Sequence, residues 1–144
     1  MRISLNRHTL AAACLIFAAS AVQAADIPRT PAPEGARAYI ISPADGDVVP
    51  STFTVKFGLE GMGVAPAGVD KPKTGHHHLL IDVEELPPPD QPLGGNVQHF
   101  GGGQTETTVT LEPGQHTLQL MLGDKNHIPH DPPVVSEKIT VTVE

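Results

Sequence analysis

Three consecutive histidines, His76, His77 and His78, begin a short apolar segment near the middle of the chain. Glycine precedes this segment and prolines follow it, and a short apolar run between such turn residues predicts one β-strand. Side chains alternate between the two faces of a strand, so His76 and His78 share a face, about 6.6 Å apart along the backbone. Two imidazoles at that separation can bind one metal ion.

Other histidines lie in two segments rich in glycine and proline. Neutral imidazole is the commonest protein ligand for zinc and copper, and a site needs about three or four donors from converging segments. The predicted metal ligands are His76, His78, His99, His127 and His130. Four polar residues are predicted to contact the ligands or the metal: Asp82, Gln104, Glu106 and Asp124.

The donor types indicate which metal such a site would take. Cys14 is the only cysteine, and it lies in an apolar run near the N-terminus. Imidazoles with at most a carboxylate suit Cu(II) or Zn(II) better than Cu(I), although Met62 or Met121 could hold copper in its reduced state. The predicted cofactor is therefore copper or zinc, with copper favoured.

Two further histidines have structural interpretations. His77 alternates with Leu79 and Ile81, so it is predicted to face the core and to hydrogen-bond a neighbour. His116 follows Pro113, Gly114 and Gln115, where β-sandwiches often carry a tyrosine that bonds back across a corner. A structural role is favoured over a ligand role for both residues.

The glycine-rich segment that ends at Glu106 supports an alternative function. Gly101 and the two glycines after it would let the backbone approach a ligand, and Gln104 and Thr105 add polar groups. A phosphate-binding loop would need a following helix and a lysine, and neither is present. The alternative is a cell-envelope module that recognises a peptide or glycan between Gly101 and Glu106, with the histidines as scaffold. The glycines could equally form only a bend before the next strand.

Catalytic motifs are absent from the sequence. No serine lies in a nucleophile elbow, and there is no HExxH pattern. Metal-assisted hydrolysis stays open because histidines and carboxylates are present, but a non-enzymatic role is favoured.

The N-terminal segment has the pattern of a secretory signal peptide. Arg2 and Arg7 precede an apolar run over residues 10–22, and small residues lead to a cleavage site after Ala24. The run is too short and too rich in alanine for a membrane anchor, which needs about 20 apolar residues. Residues 1–24 are therefore predicted to be a signal peptide, and the protein periplasmic or secreted, without a membrane span after cleavage.

The chain after residue 24 has seven Lys and Arg against sixteen Asp and Glu, a net charge of −9 with neutral histidines. This charge disfavours nucleic acid and favours cations. A metal ion or a small envelope ligand is the predicted partner, and the oligomeric state is left open. Residues 25–37 lack periodicity and predict a flexible lead-in, and residues 38–144 predict a single domain.

The predicted fold is all-β. Residues 52–60 alternate between apolar and polar side chains, and residues 38–41, 107–111, 115–122 and 138–143 also read as strands. A tight turn over residues 112–114 is predicted between two of them. Together with many turn signals, this indicates an immunoglobulin-like antiparallel β-sandwich of about seven short strands.

Four segments carry a family resemblance: GHHHLLID, QHFGGGQTE, PGQHTLQLMLGD and NHIPHDPPVVSEKITVTV. They resemble the bacterial domain-of-unknown-function family 4399, small exported proteins, over about residues 50–144. The resemblance implies a secreted or periplasmic β-rich domain and no reaction. It implies motif positions at His76, His77, His78, Asp82, His99, Phe100, Gly103, Gln104, Thr105, Glu106, His116, Asp124, His127, His130 and Ser136. The opening strand and SPADG turn are also similar to periplasmic copper carriers, which hold copper with histidines at a sandwich end.

Overall fold

The computed structural model of the protein describes residues 27–144. The predicted signal peptide lies outside the described residues. Within them the chain forms nine strands and no helix: β1 Arg37–Ser42, β2 Val48–Val49, β3 Thr52–Glu60, β4 Gly63–Val64, β5 Thr74–Ile81, β6 Val97–His99, β7 Glu106–Thr110, β8 Gly114–Gly123 and β9 Ile139–Val143. The described part of the chain has no helix long and apolar enough to cross a membrane.

The strands form two sheets. One has the order β1-β3-β7, and the other has the order β2-β9-β8-β5-β4, with β6 also pairing with β5. The longer pairs are all antiparallel, whereas β2 with β9 and β4 with β5 are two-residue parallel pairs at sheet edges. The predicted all-β sandwich is confirmed.

The main core lies between the sheets and follows from alternation along the strands. On β3, Phe53, Val55 and Phe57 are buried while the residues between them are exposed. They pack against apolar side chains of β5, β8 and β9, including Leu79, Leu118, Leu120, Leu122 and Val141.

Strand β5 does not alternate, because six consecutive residues from Gly75 to Leu80 are buried. One face belongs to the main core, and the other is covered by the chain that connects β5 to β6. Leu80 on that outer face packs with Leu93, Val97 and Met121 in a second apolar cluster. A strand buried on both faces reads as a continuous apolar run, so the three histidines at its start lie in an interior environment.

Local signals predicted some connections and not others. The tight turn predicted between β7 and β8 does not join paired strands, because β7 pairs with β3 in one sheet and β8 pairs with β5 and β9 in the other. Residues 111–113 therefore cross between the sheets. The strand count exceeds seven because β2, β4 and β6 have only two or three residues each, too few to carry a periodic pattern.

Part of the predicted lead-in is packed against the domain. The Asp131 N–H donates to the Thr30 carbonyl at 2.9 Å, and the Ala32 N–H donates to the Asp131 carbonyl at 2.8 Å. These residues thus run beside the loop that precedes β9.

Candidate metal centre

His76 and His78 form the fixed part of the site. They lie on one face of β5, as the strand period predicts, with ring centroids 4.7 Å apart. Both side chains are fully buried. Because a strand in the middle of a sheet is held by neighbours on both sides, these two rings start from a rigid backbone.

His99 joins them from the adjacent strand. β6 pairs antiparallel with β5 so that His99 lies directly opposite His78. Their ring centroids are 5.2 Å apart, and His99 lies 5.0 Å from the ring of His76. His99 is exposed, so it forms the solvent side of the site.

His127 completes the group from residues 124–128, here called the His127 loop. The Asp124 carboxylate caps this loop: Oδ1 accepts from the N–H groups of Asn126 at 2.8 Å and Ile128 at 3.0 Å. His127 has a φ of 66°, a left-handed backbone that an ordinary side chain adopts only when its surroundings require it. The loop brings Nδ1 of His127 to 3.0 Å from Nε2 of His76.

One ring nitrogen from each of the four histidines, His76, His78, His99 and His127, lies within 4.8 Å of the other three. Zinc and copper bind imidazole nitrogen at about 2.0–2.1 Å, so the ligand atoms of a tetrahedral site are about 3.3–3.4 Å apart. The rings would need to move by less than about 1 Å to hold an ion. The four donors are thus nearly in place without one.

Burial keeps the inner rings neutral. It lowers the pKa of His76 to about 4, with further lowering from His127 and His99. Burial and then the neighbouring imidazoles of His76, His99 and His127 lower the pKa of His78 to about 3. The pKa of His99 is also lowered, by partial burial and by His127. Neutral imidazole is the form that binds a metal, so His76, His78 and His99 can bind one at neutral pH without first losing a proton.

Several inner ring nitrogens lack a hydrogen-bond partner. Within the described structure, both nitrogens of His78 and Nδ1 of His76 are buried and unpaired. A buried polar atom without a partner costs about 1–3 kcal/mol, and native proteins rarely leave one so. A metal ion bound by these rings would remove part of that cost.

Two glycines make room for the rings, a role that their sequence context alone does not indicate. A Cβ on Gly123 would lie 2.6 Å from Cε1 of His78. A Cβ on Gly101 would overlap the ring of His99. The three consecutive glycines mark this segment in the sequence. That Gly101 leaves space for a ring becomes visible only once the position of His99 is known.

The remaining predicted ligand, His130, lies outside this group. Its ring is buried, and Nε2 lies 3.3 Å from the Thr74 carbonyl. A Cβ on Gly75 would meet it at 2.9 Å, which places His130 on the Gly75 and His77 side of β5. Pro129, which separates His130 from Ile128, forms an isolated β-bridge with Gly123. The chain has therefore passed the site before it reaches His130.

His77 and His116 occupy structural positions. His77 faces the core as predicted, fully buried and 5.1 Å from the ring of Phe57, but neither of its nitrogens has the expected hydrogen-bond partner in the described structure. His116 bonds back across a corner as predicted, with Nε2 2.9 Å from the Glu112 carbonyl. Its Nδ1 lies 2.7 Å from the Asp82 carboxylate.

The four predicted polar contacts are dispersed. Asp82 follows the last residue of β5, with a φ of 55°, and binds His116 instead of a ligand histidine. Gln104 accepts a hydrogen bond from the Gly102 N–H within its own loop, and Glu106 is exposed on β7 in the opposite sheet. Only Asp124 serves the site, through the cap of the His127 loop. The alternative of a peptide or glycan site between Gly101 and Glu106 stays a prediction.

Comparison with known proteins adds the family. The family model described as "Domain of unknown function (DUF4399)" matches residues 55–144. The chain belongs to this family. The predicted resemblance is thereby confirmed, and all four histidines of the group lie in the matched segment. No curated protein matches the chain, and no solved structure matches it.

Proposed function

We propose that this DUF4399 protein is an exported, non-enzymatic domain that binds a divalent transition metal, copper before zinc. The ligands are His76, His78, His99 and His127. His130, although also a predicted ligand, is left out because it lies on the other side of β5.

One observation carries this proposal. One ring nitrogen from each of His76, His78, His99 and His127 lies within 4.8 Å of the other three, and the buried ring of His78 has no hydrogen-bond partner in the described structure. His116, which lies outside the group, is instead hydrogen-bonded through both ring nitrogens, whereas His77, buried without a hydrogen-bond partner in the described structure, packs its ring against Phe57. Four imidazoles that face one another instead of other partners fit a shared cation.

The donor set supports the choice of metal. Four imidazoles without a thiolate suit Cu(II) and Zn(II), and for a given site Cu(II) binds more tightly than Zn(II). His99 is exposed and His127 is half-buried, so an ion can enter and leave from that side. Such a site suits binding and delivery of an ion better than permanent structural storage.

The N-terminal sequence supports export. Residues 1–24 have the charged, apolar and small-residue regions of a secretory signal. The acidic surface of the remaining chain favours the approach of cations.

The deciding experiment is titration of the exported, tag-free protein with Cu(II) and Zn(II), by calorimetry and by the shift of the thermal midpoint. We expect one ion per chain and a higher midpoint, because an ion that binds only the folded state stabilises it by about 2.7 kcal/mol at 100 times Kd. His99→Ala should weaken binding with little effect on folding, since that side chain is exposed. The double variant His76→Ala, His78→Ala should abolish it.

His116→Ala provides the control, because it removes a histidine that lies outside the group. It should bind copper like the unmodified protein. Binding no tighter than about millimolar, or equal loss in His116→Ala and His99→Ala, would overturn the proposal.

A further inference from the structure

Residues 29–32, here called the N-terminal strap, contact the segment that carries His127. The guanidinium of Arg29 donates to the carbonyls of Pro129 and His130, and it pairs with Asp131 at 3.2 Å. The hydroxyl of Thr30 donates to Oδ2 of Asp124 at 2.6 Å. The strap therefore contacts residues on both sides of His127: Asp124 before it, and Pro129, His130 and Asp131 after it.

Asp124 joins the strap to the His127 loop. Only 3% of its surface is exposed, and both of its carboxylate oxygens accept hydrogen bonds. Oδ1 caps the loop and Oδ2 accepts from Thr30. Its main chain also closes the loop, because the His127 N–H donates to the Asp124 carbonyl at 2.9 Å. The orientation of this one carboxylate thus links Thr30 to His127.

Other contacts keep the loop folded when the strap is perturbed. The Leu93 N–H donates to the His127 carbonyl at 2.8 Å, and the Gly68 N–H donates to the Lys125 carbonyl at 3.0 Å. These bonds do not involve the strap. Loss of the Thr30 bond should therefore shift the His127 ring without unfolding the loop.

We propose that Thr30 is a positioning residue of the metal site, which acts through Asp124 to fix the ring of His127. This inference rests on the proposed function. It extends the site beyond the segment that the family model matches, because Thr30 precedes residue 55. Partners behind the direct ligands commonly change metal affinity 10- to 100-fold when they are removed.

The test compares Thr30→Val, which removes the hydroxyl and keeps the shape, with Thr30→Ser, which keeps the hydroxyl. Thr52→Val is the matched control, because its hydroxyl pairs with Thr110 in the opposite sheet. Each full-length, exported protein is titrated with Cu(II), and the bound copper is examined by electron paramagnetic resonance. We expect Thr30→Val to bind about tenfold more weakly with an altered copper spectrum, and Thr30→Ser and Thr52→Val to match the unmodified protein.

Each outcome decides one question. If the unmodified protein binds no copper, the proposed function fails. If it binds copper and Thr30→Val has the same affinity and spectrum, the positioning role is wrong. Weaker binding with an unchanged spectrum also overturns it, because it indicates lower stability instead of a displaced ligand. If Thr30→Val fails to fold, Thr30→Ala, which also removes the hydroxyl, takes its place, and an unchanged spectrum in Thr30→Ala overturns the positioning role.

Discussion

At the scale of single residues, the site depends as much on missing side chains as on the histidines. The rings of His78 and His99 occupy volume that a Cβ on Gly123 or Gly101 would fill. Gly123 has no left-handed φ, so its small size matters and its conformational freedom does not. A glycine at such a position is explained by the ring beside it.

Gly123→Ala should therefore displace the ring of His78. The new methyl group cannot move into open space, because the Cα of His127 is only 3.3 Å from its position. We expect about tenfold weaker Cu(II) binding and a loss of about 1–3 kcal/mol in unfolding free energy, as for other overpacked interiors. Calorimetric titration and urea unfolding measure the two effects.

Gly63→Ala is the matched control for this substitution. Gly63 also lies in a strand, and its added Cβ would meet nothing closer than Cγ2 of Thr74 at 3.6 Å. Equal copper affinity in the two alanine variants would contradict the steric argument.

At the scale of elements, the sequence predicts the placement of histidines that lie on one strand. It does not predict the placement of histidines that depends on contacts between several segments. The pairing of His76 with His78 follows from the period of β5 alone. The approach of His99 depends on a three-residue strand, and that of His127 depends on a loop capped by Asp124. Neither has a periodic signal, although the residue types marked both as candidates.

His130 illustrates the limit of that reasoning. It is three residues from His127 and has the same side chain, so residue type and spacing could not separate the two. The bridge between Pro129 and Gly123 places it on the other side of β5. That contact depends on the register of β8, which the sequence does not reveal.

The contact between His116 and Asp82 joins the end of β5 to the start of β8 and should depend on pH. Both ring nitrogens face acceptors, the Asp82 carboxylate and the Glu112 carbonyl, and these bonds raise the pKa of His116. Partial burial of Asp82 opposes its ionisation, but bonds from His116 and the Thr117 N–H outweigh this and lower its pKa. The imidazolium contribution is complete below the unfolded value of about 6.5 and is lost as pH rises through the folded pKa. The carboxylate contribution is present above about 3.9 and is lost in stronger acid.

The difference in unfolding free energy between the unmodified protein and His116→Gln should thus be larger at pH 5.5 than at pH 8.5. For a partly exposed pair we expect about 0.5–1 kcal/mol. Urea unfolding at the two pH values measures it, and Asp82→Asn should remove the same dependence. An equal difference at both pH values would show that the pair is not charged in the folded protein.

At the scale of the whole molecule, stability and metal binding involve the same strand. The chain has no cysteine after residue 14, so its sandwich depends on the two apolar clusters and on whatever binds the folded state. Strand β5 supplies buried residues to both clusters and also carries three buried histidines. Protonation of those histidines therefore opposes folding, whereas a metal ion at two of them favours it.

The metal-free protein should lose stability as pH falls from about 6.5 to 4. Burial lowers the pKa of His77 to about 4, so in this range the unfolded chain binds a proton that the folded chain does not. The contribution is present above about 6.5 and is lost as pH falls toward the folded value, and for His77 alone it amounts to about 3 kcal/mol. His77→Leu should flatten the dependence of unfolding free energy on pH, measured by urea unfolding at pH 7, 6 and 5 in the presence of a chelator.

Thr52→Val, with no change in a titratable group, should keep the original slope. An unchanged slope in His77→Leu would mean that the ring of His77 accepts its proton without unfolding the sandwich, and acid sensitivity would then have to arise from the metal-binding rings alone.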